Sequence, residues 1–254
     1  MNALPHLLDR TVVIQARPET VFSFFTDSER WASWWGAGST IEPRPGGRMY
    51  IRYPGNVEAS GEVIEIVPPE RIVFTYGFNS GQPIPPGSSR VTIRLEATGY
   101  ATRLRLSHEF AESRVRDEHI QGWRYQLAVF SNVATNLANA NAATLVDAWF
   151  GAWSETDQAV REKTLAAIAT PDVRFTDRFS LLQGLADLQP HITAAQRFMP
   201  DTHMKRNGDV RHCNGTVLVD WIASASDGKE KGKGVNVFTF RADGLIESVV
   251  GFWG

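Results

Sequence analysis

The chain has 254 residues, 43% of them hydrophobic, and a formal net charge of −2. Residues 1–138 hold 14 arginines, no lysine and 14 acids, which leaves 12 basic and 14 acidic residues for the remainder. These values suit two folded domains of ordinary size and exclude the concentrated positive surface of a nucleic-acid binder.

Cys213 is the single cysteine, so neither an intrachain disulfide nor a thiolate metal cluster is available. The opening residues lack a charged leader, and no run of roughly 18 apolar residues occurs. A cytoplasmic protein that does not insert into membranes is expected.

From Arg10 to Ala16 polar and apolar residues alternate as in a strand, and Pro18 stands where a helix can begin. Helical spacing follows over 19–27 and again over 29–35, the second segment gathering Trp31, Trp34 and Trp35 as an expected lid over a cavity mouth. Strands are predicted near 39–44, 47–53, 57–67, 71–78, 89–97 and 101–110, separated by turns such as Pro45-Gly46-Gly47 and Pro54-Gly55-Asn56. Val115, His119, Trp123, Leu127, Phe130 and Val133 then share one face of a long helix over about 113–137. A curved sheet wrapped around that helix would bury both apolar faces.

The stretch 136–143, rich in asparagine and alanine, is the expected joint, giving domains at 1–138 and 139–254. Leu145, Trp149, Phe150 and Trp153 mark the next helix, and 158–169 another. A strand at 172–178 and a helix carrying Leu185, Leu188, Ile192, Ala195 and Met199 follow. Four strands close the chain near 203–212, 215–226, 232–242 and 245–253. Their turns include Asp227-Gly228-Lys229 and Ala242-Asp243-Gly244. The fold class is therefore α+β, with a cone-shaped barrel domain, helices on one face of a strongly bent sheet, as the second unit.

Each half places one polar residue on an apolar strand face. His108 alternates with Leu104, Leu106 and Phe110; Asp177 alternates with Val173 and Phe175. An inward titratable group is costly unless it is paired or used. Asp177 is the candidate base for removing a proton beside a carbonyl. Asn236, which shares a face with Phe238 and Phe240, would donate to the enolate oxygen, and His191 would orient the carboxylate or act as its acid partner. The competing reading ties Asp177 to Arg174, Arg178 or a backbone amide at the strand's end. Candidate ligand contacts are His108, Tyr76 and Trp123 in the first half, and Trp221, Phe175 and Phe238 in the second. For His108 the alternative is a core histidine bonded to Glu62 or a backbone carbonyl.

No histidine pair has metal-ligand spacing, the glycine motifs lack the spacing of a phosphate cradle, and His212 and Cys213 point to opposite sides of a strand. No metal and no organic cofactor are implied.

The segments Arg17-Pro18-Glu19-Thr20-Val21-Phe22, Trp34-Trp35, Gly46-Gly47-Arg48-Met49-Tyr50, Pro68-Pro69-Glu70-Arg71-Ile72-Val73-Phe74 and Gly122-Trp123 resemble the helix-grip family of polyketide cyclase/START-like (SRPBCC) domains. They resemble more closely its branch related to activators of the heat-shock chaperone ATPase. In the second half, Ala148-Trp149, Pro171 to Asp177, His191-Ile192, Gly234-Val235-Asn236-Val237-Phe238 and Gly251-Phe252 resemble the nuclear-transport-factor-2-like superfamily, on the side of SnoaL-like cyclases and ketosteroid isomerases. One departure stands out: enzymes of that superfamily often place an acid where this chain has Asn236.

The two resemblances imply a protein that binds a small, mostly apolar molecule. They also imply cofactor-free acid/base chemistry, such as cyclisation, isomerisation or dehydration of a carbonyl compound, in the second domain. A non-catalytic ligand-binding or stress-response protein is the alternative, and a homodimer formed through the sheets of the cone a third.

Overall fold

Strand β1 (His6–Ile14) runs into a bend before Pro18, whose fixed φ opens helix α1 (Pro18–Phe22). A 3₁₀ turn over Ser23–Phe25 leads to α2 (Ser28–Trp35), capped where the Asp27 carboxylate accepts the Arg30 amide at 2.9 Å. Gly36 ends α2 at φ 137°, and a Cβ there would lie 2.3 Å from the Arg52 carbonyl oxygen, so the position requires glycine.

The sheet continues through β2 (Thr40–Ile41), β3 (Arg48–Arg52), β4 (Glu58–Val67), β5 (Arg71–Tyr76), β6 (Ser89–Thr98) and β7 (Ala101–Phe110). Its order is β1-β7-β6-β5-β4-β3-β2, antiparallel throughout. These coordinates form a computed structural model that describes residues 3–254. The chain separates into two units that part between Ala138 and Asn139.

In β7, Arg103 and Arg105 face solvent while Leu104, Leu106, His108 and Phe110 are buried. Helix α3 (Ser113–Ala138) buries Val115, Trp123, Leu127, Phe130 and Ala134 at helical spacing, and packs on β1, β7, α1 and α2. The three tryptophans of α2 are core rather than lid. Spacings of three and four residues put them on one face, and that face meets α3, with Trp34 and Phe130 ring centroids 4.5 Å apart.

The second unit opens with α4 (Ala142–Ser154) and α5 (Gln158–Ile168). Then come β8 (Ala169–Thr176), β9 (Leu181–Gln183) and α6 (Leu185–Phe198). Strands β10 (His203–Arg206), β11 (Arg211–Cys213), β12 (Thr216–Ser224), β13 (Glu230–Phe240) and β14 (Ile246–Trp253) complete it. The sheet order is β10-β12-β13-β14-β8-β9, with β11 also on β12; only the β14–β8 ladder is parallel.

Three features differ from the sequence reading. The cone is an open bent sheet rather than a closed barrel, because its path ends at the short edge strands β10 and β9. The single strand expected over 203–212 breaks at Asn207-Gly208-Asp209, where Gly208 takes φ 91°. Strand β9 was not foreseen; it exists because Asp177 and Ser180 exchange backbone hydrogen bonds and turn the chain back along β8.

The interior of this unit is filled by Trp149, Phe150, Phe238, Phe240 and Trp221. Helix α6 is fixed to α5 by the buried Arg161 guanidinium, which donates to Thr193 Oγ1 at 2.7 Å and Gln189 Oε1 at 3.3 Å. It also donates to the Glu155 carbonyl at 2.9 Å.

Candidate functional site

The N-terminal unit contains a half-open cavity of about 410 Å³ between the sheet and α3. Tyr53, Tyr76 and Phe78 form the sheet side, Trp35 ends α2 against it, and α3 supplies His119, Gly122, Trp123 and Gln126. Among the described residues the only charged side chain lining it is that of Glu118. The walls are therefore apolar except for a few fixed polar atoms, which is the usual composition of a small-molecule site.

Two of those atoms are phenolic oxygens. Tyr53 and Tyr76 place their hydroxyls 3.0 Å apart. Burial pushes Tyr53 up to about 12 and Tyr76 well above its ordinary value. Both stay protonated at neutral pH, and the hydrogen bond they share uses only one of their two protons. The other is free to be donated to a bound oxygen.

His119 also borders the cavity. Its Nδ1 lies 2.7 Å from the Val115 carbonyl oxygen. A carbonyl only accepts, so Nδ1 carries the proton and Nε2 is left as an acceptor in the neutral ring. Nε2 is buried and has no partner among the described residues. Burial lowers the pKa of His119 against the Val115 carbonyl and the Glu118 carboxylate, which favour the charged form. A buried acceptor without a donor costs about 1–3 kcal/mol.

His108 lies behind the cavity wall instead of facing the cavity. It is fully buried, and both ring nitrogens are used: Trp123 Nε1 donates to Nδ1 at 2.9 Å, and Nε2 lies 2.8 Å from Ser89 Oγ. An indole N–H can only donate, so the proton of the neutral imidazole sits on Nε2 and is given to Ser89. The Ser89 hydroxyl in turn donates to the Tyr76 carbonyl at 2.8 Å. The chain from Trp123 through His108 and Ser89 to Tyr76 thus fixes two cavity residues from behind. Burial, and after it the neighbouring His119, holds His108 well below its ordinary value, which keeps it neutral. Its partners are a serine and an indole, in place of Glu62 or a carbonyl, because β6 and α3 bring those side chains to its two nitrogens. Tyr76 and Trp123 line the cavity itself.

In the C-terminal unit Asp177 sits one residue beyond β8. Its Oδ1 accepts the Phe179 amide at 2.8 Å and its Oδ2 accepts Trp253 Nε1 at 3.1 Å. Asn236 is buried on β13 opposite Gly251 of β14, and Val250 in turn pairs with Thr176 of β8. Gly251 consequently lies between the two candidates: a Cβ there would come within 3.2 Å of Asn236 Oδ1 and 3.3 Å of the Asp177 Cβ. His191 is on α6, with Nε2 3.1 Å from the hydroxyl of Ser180, the residue that closes the Asp177 turn.

Asp177, Asn236 and His191 are therefore grouped around one end of β8. A concavity of about 390 Å³ runs along Asp177, Gly251 and Trp253, but Asn236 and His191 are not among its lining residues. Phe175, Phe238 and Trp221 are packed in the core.

His119 and Tyr53 are among the cavity residues that the sequence reading missed. His119 had been placed on the correct helical face, four residues from both Val115 and Trp123, but read only as part of that face. Tyr53, one residue past β3, continues the apolar alternation of Met49 and Ile51, a usable signal for an inward hydroxyl. Of the three tryptophans read as a lid over the cavity mouth, only Trp35 lines the cavity.

Comparison with known families agrees with this division. Residues 15–134 match the family described as "Activator of Hsp90 ATPase homolog 1-like protein", and residues 146–249 match the SnoaL-like domain. The chain thus joins an N-terminal region of the AHSA1-like type to a C-terminal region of the SnoaL-like type. Among curated proteins none matches the chain.

Several solved structures are similar to one half each. An AHSA1-like protein from Rhizobium etli is 34% identical, covering 53% of this chain and 86% of its own, with a TM-score of 0.43. CalU16 from Micromonospora echinospora is 26% identical over 49% of this chain and 75% of its own, TM-score 0.41. A SnoaL-like family protein from Agrobacterium tumefaciens is 22% identical over 44% of this chain and 95% of its own, TM-score 0.42. The two domain types support a ligand-binding protein.

Proposed function

We propose that this protein binds a small, mostly apolar molecule in the N-terminal cavity and orients it through the Tyr53–Tyr76 hydroxyl pair. The observation that carries this reading is an aromatic-walled cavity of about 410 Å³ with a few convergent polar atoms. Its volume falls in the range of roughly 300–1,000 Å³ typical of ligand sites. Native mass spectrometry of freshly purified protein, followed by extraction of any retained molecule, tests it directly.

Gly122 provides the matching variant. It lines the cavity from α3, and a Cβ added there meets nothing within 4 Å. Gly122→Leu is expected to fill part of the cavity and abolish retention, while stability holds or rises because glycine is a poor helix former, by about 1 kcal/mol relative to alanine. Undiminished retention by that variant would rule the cavity out.

A second reading is favoured by the approach of Asp177 and Asn236 across Gly251. In it Asp177 takes a proton beside a carbonyl and Asn236 donates to the enolate oxygen, with no cofactor. Exchange of α-protons of a cyclic ketone in D₂O measures this. Activity in the wild type that is absent from Asp177→Asn supports it, and equal rates in the two proteins refute it.

A further inference from the structure

The N-terminal cavity carries one sign of charge and is walled by aromatic rings, and these two facts constrain the guest. Glu118 is its only charged lining residue, with no lysine or arginine among the described residues there. His119 is the one other lining side chain that could turn positive, and burial lowers its pKa, so it stays uncharged at neutral pH. The Glu118 carboxylate meets Arg114 one helical turn away at 3.1 Å, both side chains being exposed. Such a surface pair contributes little, so the carboxylate is free to turn from Arg114 to a charged guest.

The lining rings meet at steep angles. Trp35 stands at 88° to Tyr53 and 71° to Trp123, with centroids 5.9 and 5.6 Å apart. Tyr76 stands at 76° to Phe78, at 5.5 Å. Rings set this way form adjoining walls of a box, and a guest in the corner between them meets π-faces, the negative part of the ring quadrupole. Those faces attract a cation, and indole does so most strongly. A neutral guest gains burial alone. An anion would lie against the same faces and Glu118, with nothing to repay its desolvation. Among cations, an alkylated ammonium suits the box best, because it brings at most one N–H where a primary ammonium brings three that each need an acceptor.

Resting on the cavity reading above, we infer that the ligand is a tertiary or quaternary ammonium carried on an apolar ring or chain, with its charged end in the aromatic box and Glu118 as its counter-ion. Phe78 and Glu118 are thus assigned as specificity-determining residues, one through its ring face and the other through its charge.

The test uses three para-substituted phenols of similar shape, titrated calorimetrically into the full chain at neutral pH: 4-hydroxyphenyltrimethylammonium, 4-tert-butylphenol and 4-hydroxybenzenesulfonate. The first two differ only in a charged nitrogen for a carbon. The ammonium is expected to bind about tenfold more tightly than its tert-butyl isostere, the gain from a desolvated cation on aromatic faces, and the sulfonate most weakly of the three. Phe78→Leu keeps an apolar wall but removes a π-face, and should weaken the ammonium about threefold. Glu118→Gln should weaken it about two- to fivefold. Neither change should move the affinity of the tert-butyl isostere. Gly122→Leu should lose the ammonium and its isostere together, which ties the binding to this cavity.

Equal or tighter binding of the tert-butyl isostere to the wild type overturns the inference and leaves the cavity as a non-selective apolar site. Sulfonate binding as tightly as the ammonium also overturns it, on the ground of charge. An ammonium preference that survives in Gly122→Leu places the cation elsewhere on the protein and counts against the inference. If Phe78→Leu does not fold, the wild-type series, the exposed Glu118→Gln and the Gly122→Leu control still decide. Failure of all three probes to bind the wild type counts against both the inference and the cavity reading, whereas isostere binding without ammonium preference counts against the inference alone.

Discussion

His108 and Asp177 look alike in sequence, each a titratable residue on an otherwise apolar strand face, yet the two regions treat them differently. His108 lies within β7, flanked by ladders to β1 on one side and β6 on the other. Its ring is sealed between Ser89 and Trp123. Asp177 stands past the end of β8, half-buried, where its carboxylate closes a turn and holds Trp253. Position along the strand decides the outcome. In mid-ladder a polar residue has to be satisfied from the protein interior, whereas at a strand end it can use backbone amides and solvent.

The strongest way to break this comparison is His108→Leu. The substitution leaves the Trp123 indole N–H buried without an acceptor and deprives Ser89 of its donor. At about 1–3 kcal/mol per orphaned group, with a packing change added, a loss of about 2–4 kcal/mol is expected. Urea unfolding of the N-terminal unit measures it. A loss below about 1 kcal/mol would mean that the chain from Trp123 to Tyr76 does not support the cavity wall.

Proton linkage gives the next effect in size. Burial lowers both His108 and His119 below the ordinary 6.5. The unfolded chain takes up protons at ordinary histidine values, so in acid it binds protons that the folded state refuses. Stability is therefore fully present above about pH 6.5 and falls as the pH drops below it, until the folded-state values are reached. The slope for fully buried His108 is about 1.4 kcal/mol per pH unit. His119 adds a smaller one because it is partly exposed, and His212 in the second unit, also lowered by burial, adds a further small contribution of the same sign. Unfolding midpoints measured between pH 7.5 and 5 should decline along this course. A flat profile would show that His108 is not held neutral by its surroundings.

The same contrast explains what could be read from sequence. Alternation through Leu104, Leu106 and Phe110 placed His108 on the buried face of β7, and helical spacing placed His119 and Trp123 on the inner face of α3. The bonding partners could not be read in the same way. Ser89 reaches His108 through the β6–β7 register, and Trp123 reaches it through the way α3 lies on the sheet; both are non-local. His119 as a lone acceptor emerges only once Val115 is seen to fix its tautomer.

In the second unit the faces of Asp177 and Asn236 were legible, but the residue that brings them together was not. Gly251 does so because β14 pairs with β13 on one side and, in parallel, with β8 on the other. A parallel pairing between strands so far apart in sequence leaves no local trace. The open edge at β9 follows from a four-residue turn, closed by backbone bonds between Asp177 and Ser180 and by the Asp177 carboxylate on the Phe179 amide.

Asp177→Asn gives the smallest effect and sharpens the comparison most, because it changes charge while preserving shape. The amide oxygen can keep one of the two bonds, to the Phe179 amide or to Trp253 Nε1, but the amide nitrogen cannot accept the other. One acceptor is lost at a half-exposed position, where water can replace it, so the cost should stay at or below about 1 kcal/mol. Equilibrium unfolding of the second unit reads this directly, and it also supplies the folding control for the exchange experiment in D₂O. A loss as large as that for His108→Leu would place Asp177 among the structural supports and remove the distinction between the regions. A small loss accompanied by abolished α-proton exchange would identify the carboxylate as a group held for chemistry, since its contribution to stability would then be too slight to explain its place at the meeting point of β8, β13 and β14.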